Sequence, residues 1–229
     1  MSPGALEEAD VLEFGRALSQ LKQAGSMVLV TGSVPKAAFS AVSRQMLGES
    51  TLPRRRLFVL TDTTADAVRE RVPRTADPRQ TRIIEQLSMT RSVTTATAGS
   101  DPTVEYVSSD ELPALIETAF DAIGALEVGA APAELRVCVD SLTPLIERYG
   151  KQRTFTALHA LCWRVRHARG LGHAHLQTDA TDVVALFAEL FDAHVELRER
   201  AGTFQQRWHL RDDDVTTAWL TFEAVGDIQ

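Results

Sequence analysis

The chain of 229 residues, with 44% hydrophobic residues and a formal net charge of -7, is long enough for one α/β domain with a full-sized core. Its acidic excess argues against broad nucleic-acid binding, which depends on basic surfaces, and no apolar run approaches the roughly 18 residues needed to span a bilayer. The acidic N-terminal segment lacks the basic start and apolar stretch of a signal peptide, so we expect a cytoplasmic protein that does not bind membranes.

The first part of the chain alternates helix and strand patterns. Apolar residues recur with a helical period up to Gly25, which ends that pattern. Two apolar runs of strand character follow, and each is succeeded by a helical stretch, as in a parallel α/β sheet. The predicted elements are a helix at 10–24, a strand at 26–31, a helix at 36–47, a strand at 56–61 and a short helix at 65–72.

The middle of the chain continues this alternation after a polar, proline-containing stretch at 73–82, which we expect to be a loop. Asp110 is the predicted N-cap of a long helix, and the run at 135–140 is the most β-like in the chain. The predicted elements here are strands at 92–98, 103–107, 135–140 and 172–177, and helices at 110–126, 141–148, 155–169 and 181–191.

The alternation of strands and helices ends in the last part of the chain. Three strand-like segments follow one another there without helices, at 194–198, 203–211 and 216–222. We therefore predict one three-layer α/β domain with a mostly parallel central sheet, helices on both faces and a C-terminal antiparallel meander. Its predicted parts are an N-terminal helix at 10–24, a core at 25–191 and the meander at 192–225.

The segment that begins at Gly32 has the layout of a phosphate-binding loop. A strand ends there and a helix begins after Pro35, where P-loop NTPases carry the pattern G-x-x-x-x-G-K-[ST]. With Gly32 as the first glycine, Ala37, Ala38 and Phe39 take the places of the second glycine, the lysine and the hydroxyl residue. The candidate residues of this degenerate loop are Gly32, Ser33, Lys36, Ala37, Ala38 and Phe39.

The substituted loop residues remove the groups that bind phosphate and Mg²⁺. Ala38 has no charge, Phe39 has no ligating oxygen, and Pro35 removes a backbone N–H. Each lost charge-assisted hydrogen bond is worth about 1.5–3 kcal/mol, so two losses weaken binding roughly 100-fold to more than 10⁴-fold. Lys36 either reaches a phosphate from a shifted position or is a solvated lysine at the start of a helix.

Asp140 and Ser141 follow the most β-like strand of the chain. An acid in this place holds Mg²⁺ as the Walker B aspartate of P-loop enzymes. The same acid can instead cap the following turn through nearby backbone N–H groups, and both interpretations stay open. Asp62, after the preceding apolar strand, is in the same way a candidate to orient an attacking water or an ordinary turn residue.

The Gly32 loop, the Asp140-Ser141-Leu142 run about 108 residues later and the closing strands together resemble the RecA/KaiC branch of P-loop ATPases. More narrowly, the segments at 25–30 and 54–62 are similar to an uncharacterised haloarchaeal family of RecA-like proteins. The low lysine content and the acidic excess fit such a salt-loving host. The resemblance covers nearly the whole chain and implies a three-layer RecA-like fold.

The resemblance and the missing loop residues together predict a catalytically inactive RecA/KaiC-like module with a regulatory or protein-interaction role. Such a module needs no cofactor, and we expect it to bind a protein partner or a second copy of itself. One alternative is an ATP-binding protein or weak ATPase that holds Mg-ATP weakly through Lys36, Asp140 and the loop backbone. Another is an inactive subunit that pairs with an active RecA-like ATPase.

Histidine and cysteine residues in the apolar runs are candidates for metal binding. His173 and His175 lie two apart on a predicted strand and therefore share one face. The sequence places no third ligand beside them, so we expect no metal site. Cys138 and Cys162 are expected to be reduced, buried thiols.

Two basic segments stand out in this acidic chain. The one at 148–169 is expected to be a solvated helix face, although it could also contact an acidic partner or nucleic acid. The run at 54–56 leads into the second predicted strand, and we expect it at the amino edge of the sheet. Ligands in open α/β sheets bind at the opposite, carboxyl edge.

Overall fold

The computed structural model describes residues 3–48, 52–69, 77–87, 103–108, 112–211 and 215–224. The predicted strand at 92–98 and the predicted N-cap Asp110 lie outside the described residues. The helices are α1 (Pro3–Ala24), α2 (Lys36–Leu47), α3 (Ala65–Arg69), α4 (Leu112–Glu127), α5 (Thr143–Tyr149), α6 (Lys151–His167) and α7 (Thr181–Ala188). The strands are β1 (Ser26–Thr31), β2 (Arg55–Leu60), β3 (Thr81–Leu87), β4 (Thr103–Ser108), β5 (Leu135–Val139), β6 (Leu171–Leu176), β7 (Ala193–Arg200), β8 (Thr203–Leu210), β9 (Val215–Thr216) and β10 (Leu220–Phe222).

The strands of the described residues form one mixed sheet in the order β10-β8-β7-β1-β6-β5-β2-β3-β4. The seven strands from β7 to β4 in this order run parallel to one another. The strands β8, β9 and β10 are antiparallel to their partners and form the C-terminal edge. The predicted mostly parallel α/β sheet with a C-terminal antiparallel part is therefore confirmed.

The central strands are buried on both faces, which explains why they read as continuous apolar runs. Alternate residues of each strand enter different clusters, because side chains of a strand point to opposite faces in turn. Leu29 and Val137 belong to the cluster beneath α4 and α6. Val28 packs instead with residues of α2, and Phe58 with residues of α2 and α3. Helices thus cover both faces and give three layers.

Several elements differ from the sequence-based prediction, and β3 was not predicted at all. The stretch expected to be a loop through residue 82 becomes strand β3 from Thr81, because neighbouring strands supply its hydrogen bonds and its buried Ile83 and Ile84 enter the core. The helix α1 begins at Pro3 rather than near residue 10. The single strand expected at 216–222 is two short strands, β9 and β10, which both pair with β8.

The C-terminal strands join the sheet through β7, which pairs with two different partners. It is antiparallel to β8, as the predicted meander requires, and parallel to the loop-bearing strand β1. In the β1–β7 ladder Thr31 is opposite Glu196. The strand that follows α7 is therefore both the last parallel strand and the first strand of the antiparallel edge.

Within the described residues, none of the helices combines the length and the apolar character that crossing a bilayer demands.

Candidate functional site

The loop between β1 and α2 is short and its glycine is explained by packing. Gly32 ends β1 with a φ of 147°, a left-handed conformation that favours glycine. A Cβ atom at this position would collide with the carbonyl oxygen of Leu197 on β7. Since β7 approaches so closely, the fold requires Gly32 whether or not a phosphate ever binds beside it.

The positions that would carry the lysine and the hydroxyl of a phosphate-binding loop point into the core. Helix α2 already begins at Lys36, and the N–H of Ala38 donates to the Pro35 carbonyl at 3.0 Å. Ala38 is fully buried and Phe39 is 2% exposed, and the Phe39 ring lies 5.3 Å from the ring of His175. Ser33 and Ala37 are exposed. The first turn of α2 therefore fills the region with its own apolar side chains.

Lys36, the one cation of the loop, forms an ion pair with Asp62. Its Nζ lies 2.5 Å from Asp62 Oδ2, and the two side chains are 60% and 34% exposed. Exposed pairs of this kind contribute about 0–1 kcal/mol. The pair nevertheless directs the lysine across the carboxyl end of β2, so both sequence candidates, Lys36 and Asp62, neutralise each other.

Asp140 is held by the turn that follows β2. Its two carboxylate oxygens accept hydrogen bonds from the backbone N–H groups of Thr61, Asp62 and Thr63 at 2.7, 3.3 and 2.8 Å. The hydroxyls of Thr61 and Thr63 lie 3.0 and 2.7 Å from the same carboxylate, and the Thr61 hydroxyl is also within reach of the Ser141 carbonyl. Of the two interpretations left open, the geometry matches a cap of a turn, although the turn precedes Asp140 in sequence.

The environment of Asp140 has opposing effects on its acidity. The pKa of the Asp140 carboxyl is raised above its ordinary value, because the effect of burial outweighs that of the hydrogen bonds donated by Thr61 and Thr63. Ser141 is buried, and its Oγ accepts a hydrogen bond from the N–H of Thr143 at 3.3 Å, at the start of α5. Both candidates after β5 therefore have structural contacts within the protein.

A small cavity of about 30 Å³ lies at the carboxyl end of the sheet. It brings together part of the predicted site, because Lys36, Phe39 and Asp140 line it. Gly32, Ser33, Ala37, Ala38 and Ser141 are not among its lining residues.

Sequence reasoning missed how the two strand histidines are partnered. His173 and His175 are buried beneath α2, and His173 Nε2 is 2.8 Å from Ser43 Oγ. His175 Nδ1 is 3.1 Å from the carbonyl oxygen of Asp140. Cys138, opposite His173 in the β5–β6 ladder, is the third residue of this cluster. The sequence places no third ligand-type residue beside the histidines, because Cys138 reaches the pair only through the pairing of β5 with β6.

Three arginines lie at the amino end of the sheet, where the sequence placed the run at 54–56. Arg54, Arg56 and Arg136 share the α2 side, and Arg56 and Arg136 are directly opposite each other in the β2–β5 ladder. Arg56 and Arg136 are 3% and 7% exposed. Burial, with Arg54 and Arg56 nearby, lowers the pKa of Arg136 to about 10. Arg54 and Arg136 also line a second cavity of about 380 Å³.

Ion pairs neutralise three of the six Lys and Arg side chains of the basic segment at 148–169. Arg164 forms a bidentate pair with Glu127 at 2.8 Å, and Arg166 binds Asp192 at 2.9 Å. Lys151 contacts Asp182 at 2.9 Å on the surface. These pairs account for three of its cations without a partner molecule.

Comparison with known proteins gives a family and no function. No curated protein matches the chain. Residues 25–197, from the end of α1 into β7, match the family of unknown function DUF7504. This region contains the Gly32 loop, Asp140, the buried histidines and the three arginines, and it leaves out the antiparallel strands after β7. Because the match spans most of the chain, the protein belongs to the DUF7504 family of unknown function.

Proposed function

We propose that this protein is a catalytically inactive RecA/KaiC-like module of the cytoplasm, with a regulatory or protein-interaction role. The proposal joins two properties of the carboxyl end of the sheet. The layout there, with a glycine turn after β1 and an acid after β5, is that of a nucleotide-binding crevice. The groups that would act on a nucleotide have other contacts within the chain.

The observation that carries this proposal is that the Asp140 carboxylate already accepts hydrogen bonds from donors of the protein itself. Three N–H groups and two hydroxyls surround it at 2.7 to 3.3 Å. A carboxylate has about four acceptor sites on its two oxygens, so Mg²⁺ could bind only by displacing these donors. Displacement would leave buried donors unsatisfied, at about 1–3 kcal/mol each.

The loop supports the same proposal independently. A lysine at position 38 would have to bury its ammonium group in a fully buried site, which costs several kcal/mol without a partner. Lys36 is already paired with Asp62. The chain therefore has no lysine at the expected position, and Asp140 and Asp62, the two candidate acids at this end of the sheet, both have partners within the chain.

Thermal unfolding with and without 5 mM Mg-ATP tests this proposal. A dissociation constant of 5 mM or weaker raises the melting temperature by less than about 2 °C. A rise above about 5 °C would overturn the inactive interpretation and favour the weak ATP-binding alternative. Mg-ADP and Mg²⁺ alone, at equal ionic strength, are the controls for nonspecific salt effects.

The variant Asp62→Asn distinguishes the two interpretations further. It frees Lys36 from its ion pair, so a nucleotide site that uses Lys36 would bind Mg-ATP more tightly than the parent chain. An inactive module shows no gain. Restoring Gly, Lys and Thr at positions 37–39 is a poor test, because positions 38 and 39 are buried and the variant would be destabilised for that reason alone.

The interaction part of the proposal concerns a protein partner or a second copy of the chain. Light scattering coupled to size-exclusion chromatography, in low and in molar salt, measures self-association directly. A monomer at both salt concentrations contradicts self-association and leaves a different protein, such as an active RecA-like ATPase, as the partner to seek by co-purification.

A further inference from the structure

Three buried side chains beneath α2 form a cluster with the composition of a transition-metal site. Cys138 lies on β5 and His173 is opposite it on β6. His175, two residues further along β6, points to the same face. One ligand atom from each residue lies within 4.8 Å of the others, and all three residues are buried.

The donor set selects a class of metal. One thiolate and two imidazoles suit borderline and soft cations such as Zn²⁺, whereas Mg²⁺ and Ca²⁺ require oxygen ligands. Zn²⁺ sites with Zn–S near 2.3 Å and Zn–N near 2.0–2.1 Å hold their ligand atoms roughly 3.3–3.6 Å apart. The cluster needs only about an ångström of side-chain movement to reach that spacing.

The surroundings of His175 orient it as a ligand. Its Nδ1 lies 3.1 Å from the Asp140 carbonyl oxygen, and a carbonyl only accepts, so Nδ1 carries the hydrogen. The lone pair is then on Nε2. Metal-binding histidines typically donate their other ring N–H to a backbone carbonyl or a carboxylate in this way.

Ser43 of α2 connects the other two members of the cluster. Its Oγ is 2.8 Å from His173 Nε2 and 3.6 Å from Cys138 Sγ. If a metal replaces the hydrogen bond to the imidazole, the hydroxyl can still donate to the sulfur. Ser43 would then stabilise the thiolate by donating a hydrogen bond to its sulfur.

The cluster has space beside it for a fourth ligand. Cys138, His175 and Ser43 all line the cavity of about 30 Å³ at the carboxyl end of the sheet. That volume is enough for one water molecule. A metal held by three side chains and one water is the arrangement of an open rather than a closed zinc site.

We propose that Cys138, His173 and His175 bind one ion of the Zn²⁺ class, with a water from the cavity as the fourth ligand. Binding releases the Cys138 thiol proton to solvent, and no other bond is made or broken. The site goes beyond the proposed function and does not depend on it, because its ligand set contains no loop residue and no carboxylate.

Cobalt substitution tests the site on the full chain. We expect metal-free, reduced protein to bind one equivalent of Co²⁺ and to develop thiolate-to-cobalt charge-transfer absorption in the near ultraviolet. Cys138→Ser should abolish this absorption. The matched control is Cys162→Ser, which removes the other buried thiol, on α6, and should leave the spectrum unchanged. No such band in the parent chain, or a band that survives Cys138→Ser, would overturn the proposal.

A second measurement does not require Cys138→Ser to fold. In the Cys162→Ser chain Cys138 is the sole thiol, and saturating Zn²⁺ should slow its reaction with a disulfide reagent at least tenfold. Zn²⁺ at 100 times its dissociation constant should also raise the melting temperature by roughly 5–10 °C. Unchanged thiol reactivity contradicts the site.

His209→Gln in the same background tests a competing site. His209 stacks on His194, outside the cluster, with ring centroids 5.5 Å apart. If Zn²⁺ no longer slows the reaction of the Cys138 thiol in His209→Gln, the metal binds at the His194–His209 pair and the proposal is overturned. If Zn²⁺ still slows that reaction, the result supports the Cys138 cluster.

Discussion

At the carboxyl end of the sheet a buried carboxylate, Asp140, is surrounded by donors, whereas at the amino end the guanidinium groups of Arg54, Arg56 and Arg136 have few acceptors. Arg136 donates to the Met46 carbonyl at 3.1 Å, and Arg54 to the Ala133 carbonyl at 3.2 Å. The Nε atoms of all three arginines are buried without a hydrogen-bond partner among the described residues. Within that part of the chain no carboxylate forms an ion pair with them.

The difference between the two ends shows how this fold accommodates buried charge. In both places the backbone, rather than an opposite charge, provides the main partners: N–H groups of the β2–α3 turn for Asp140, and the Met46 carbonyl near the end of α2 for Arg136. The C-terminus of a helix favours cations, which partly offsets the burial of Arg136. The Asp140 site is saturated, while the arginine cluster keeps donors that have no partner among the described residues, together with mutual repulsion.

The largest expected effect on stability is at Asp140, at the carboxyl end of the sheet. Asp140→Ala removes the acceptor for the Thr61 and Thr63 donors, so we expect the free energy of unfolding to fall by roughly 3–5 kcal/mol. Urea denaturation followed by circular dichroism measures this. Asp182→Ala, which removes the exposed partner of Lys151, is the control and should leave the denaturation midpoint almost unchanged. A loss below 1 kcal/mol for Asp140→Ala would contradict the capping role.

A substitution in the arginine cluster at the amino end of the sheet should instead raise the free energy of unfolding. Arg136→Met removes a buried cation from beside Arg54 and Arg56 at similar length, and we expect stability to rise by about 1 kcal/mol. The matched control, Arg55→Met, lies on the other face, where Arg55 pairs with Glu134 at 2.8 Å, and it should destabilise the chain. If Arg136→Met instead lowers stability by more than 1 kcal/mol, the arginine cluster has partners that outweigh its repulsion.

The ion pair between Arg55 of β2 and Glu134 predicts that the stability of the protein depends on pH. Burial alone would raise the pKa of Glu134, but the N–H of Ala131 and the Arg55 guanidinium lower it below the ordinary value of 4.5. A carboxyl with a lowered pKa in the folded state adds stability that is present above pH 4.5 and is lost as pH falls through the folded-state pKa. We therefore expect Glu134→Gln to reduce stability at neutral pH and to flatten its decline in acid, as measured by urea titrations from pH 7 to pH 3. A parallel decline in both proteins would contradict this.

The smallest effect is expected at the exposed pair of the carboxyl end. Lys36→Met should change the free energy of unfolding by less than about 1 kcal/mol, since the Lys36 side chain is 60% exposed. The difference from the parent chain should shrink further in 1 M salt, where such pairs are screened. A cost above 2 kcal/mol, insensitive to salt, would mean that Lys36 has a structural role beyond its ion pair.

The sequence predicted most elements because the central strands are buried on both faces and leave long apolar runs. It missed β3 altogether, since Arg82, Glu85 and Gln86 interrupt the apolar pattern and the strand forms through its neighbours β2 and β4. The sequence pattern singled out Gly32 as the first glycine of a phosphate-binding loop. The structure explains the same glycine by the close approach of β7. No local pattern could reveal that approach.

The sequence by itself determined which chemical groups exist: a glycine turn without a lysine at position 38, an acid after a strand, two histidines on one face. Strand order decided what those groups contact. The pairing of β5 with β2 brings Asp140 to the Thr61–Thr63 turn, and its pairing with β6 brings Cys138 to His173. These partners are 77 and 35 residues apart in the chain (140 − 63 and 173 − 138), so only the tertiary structure could place them within hydrogen-bonding or ligand distance.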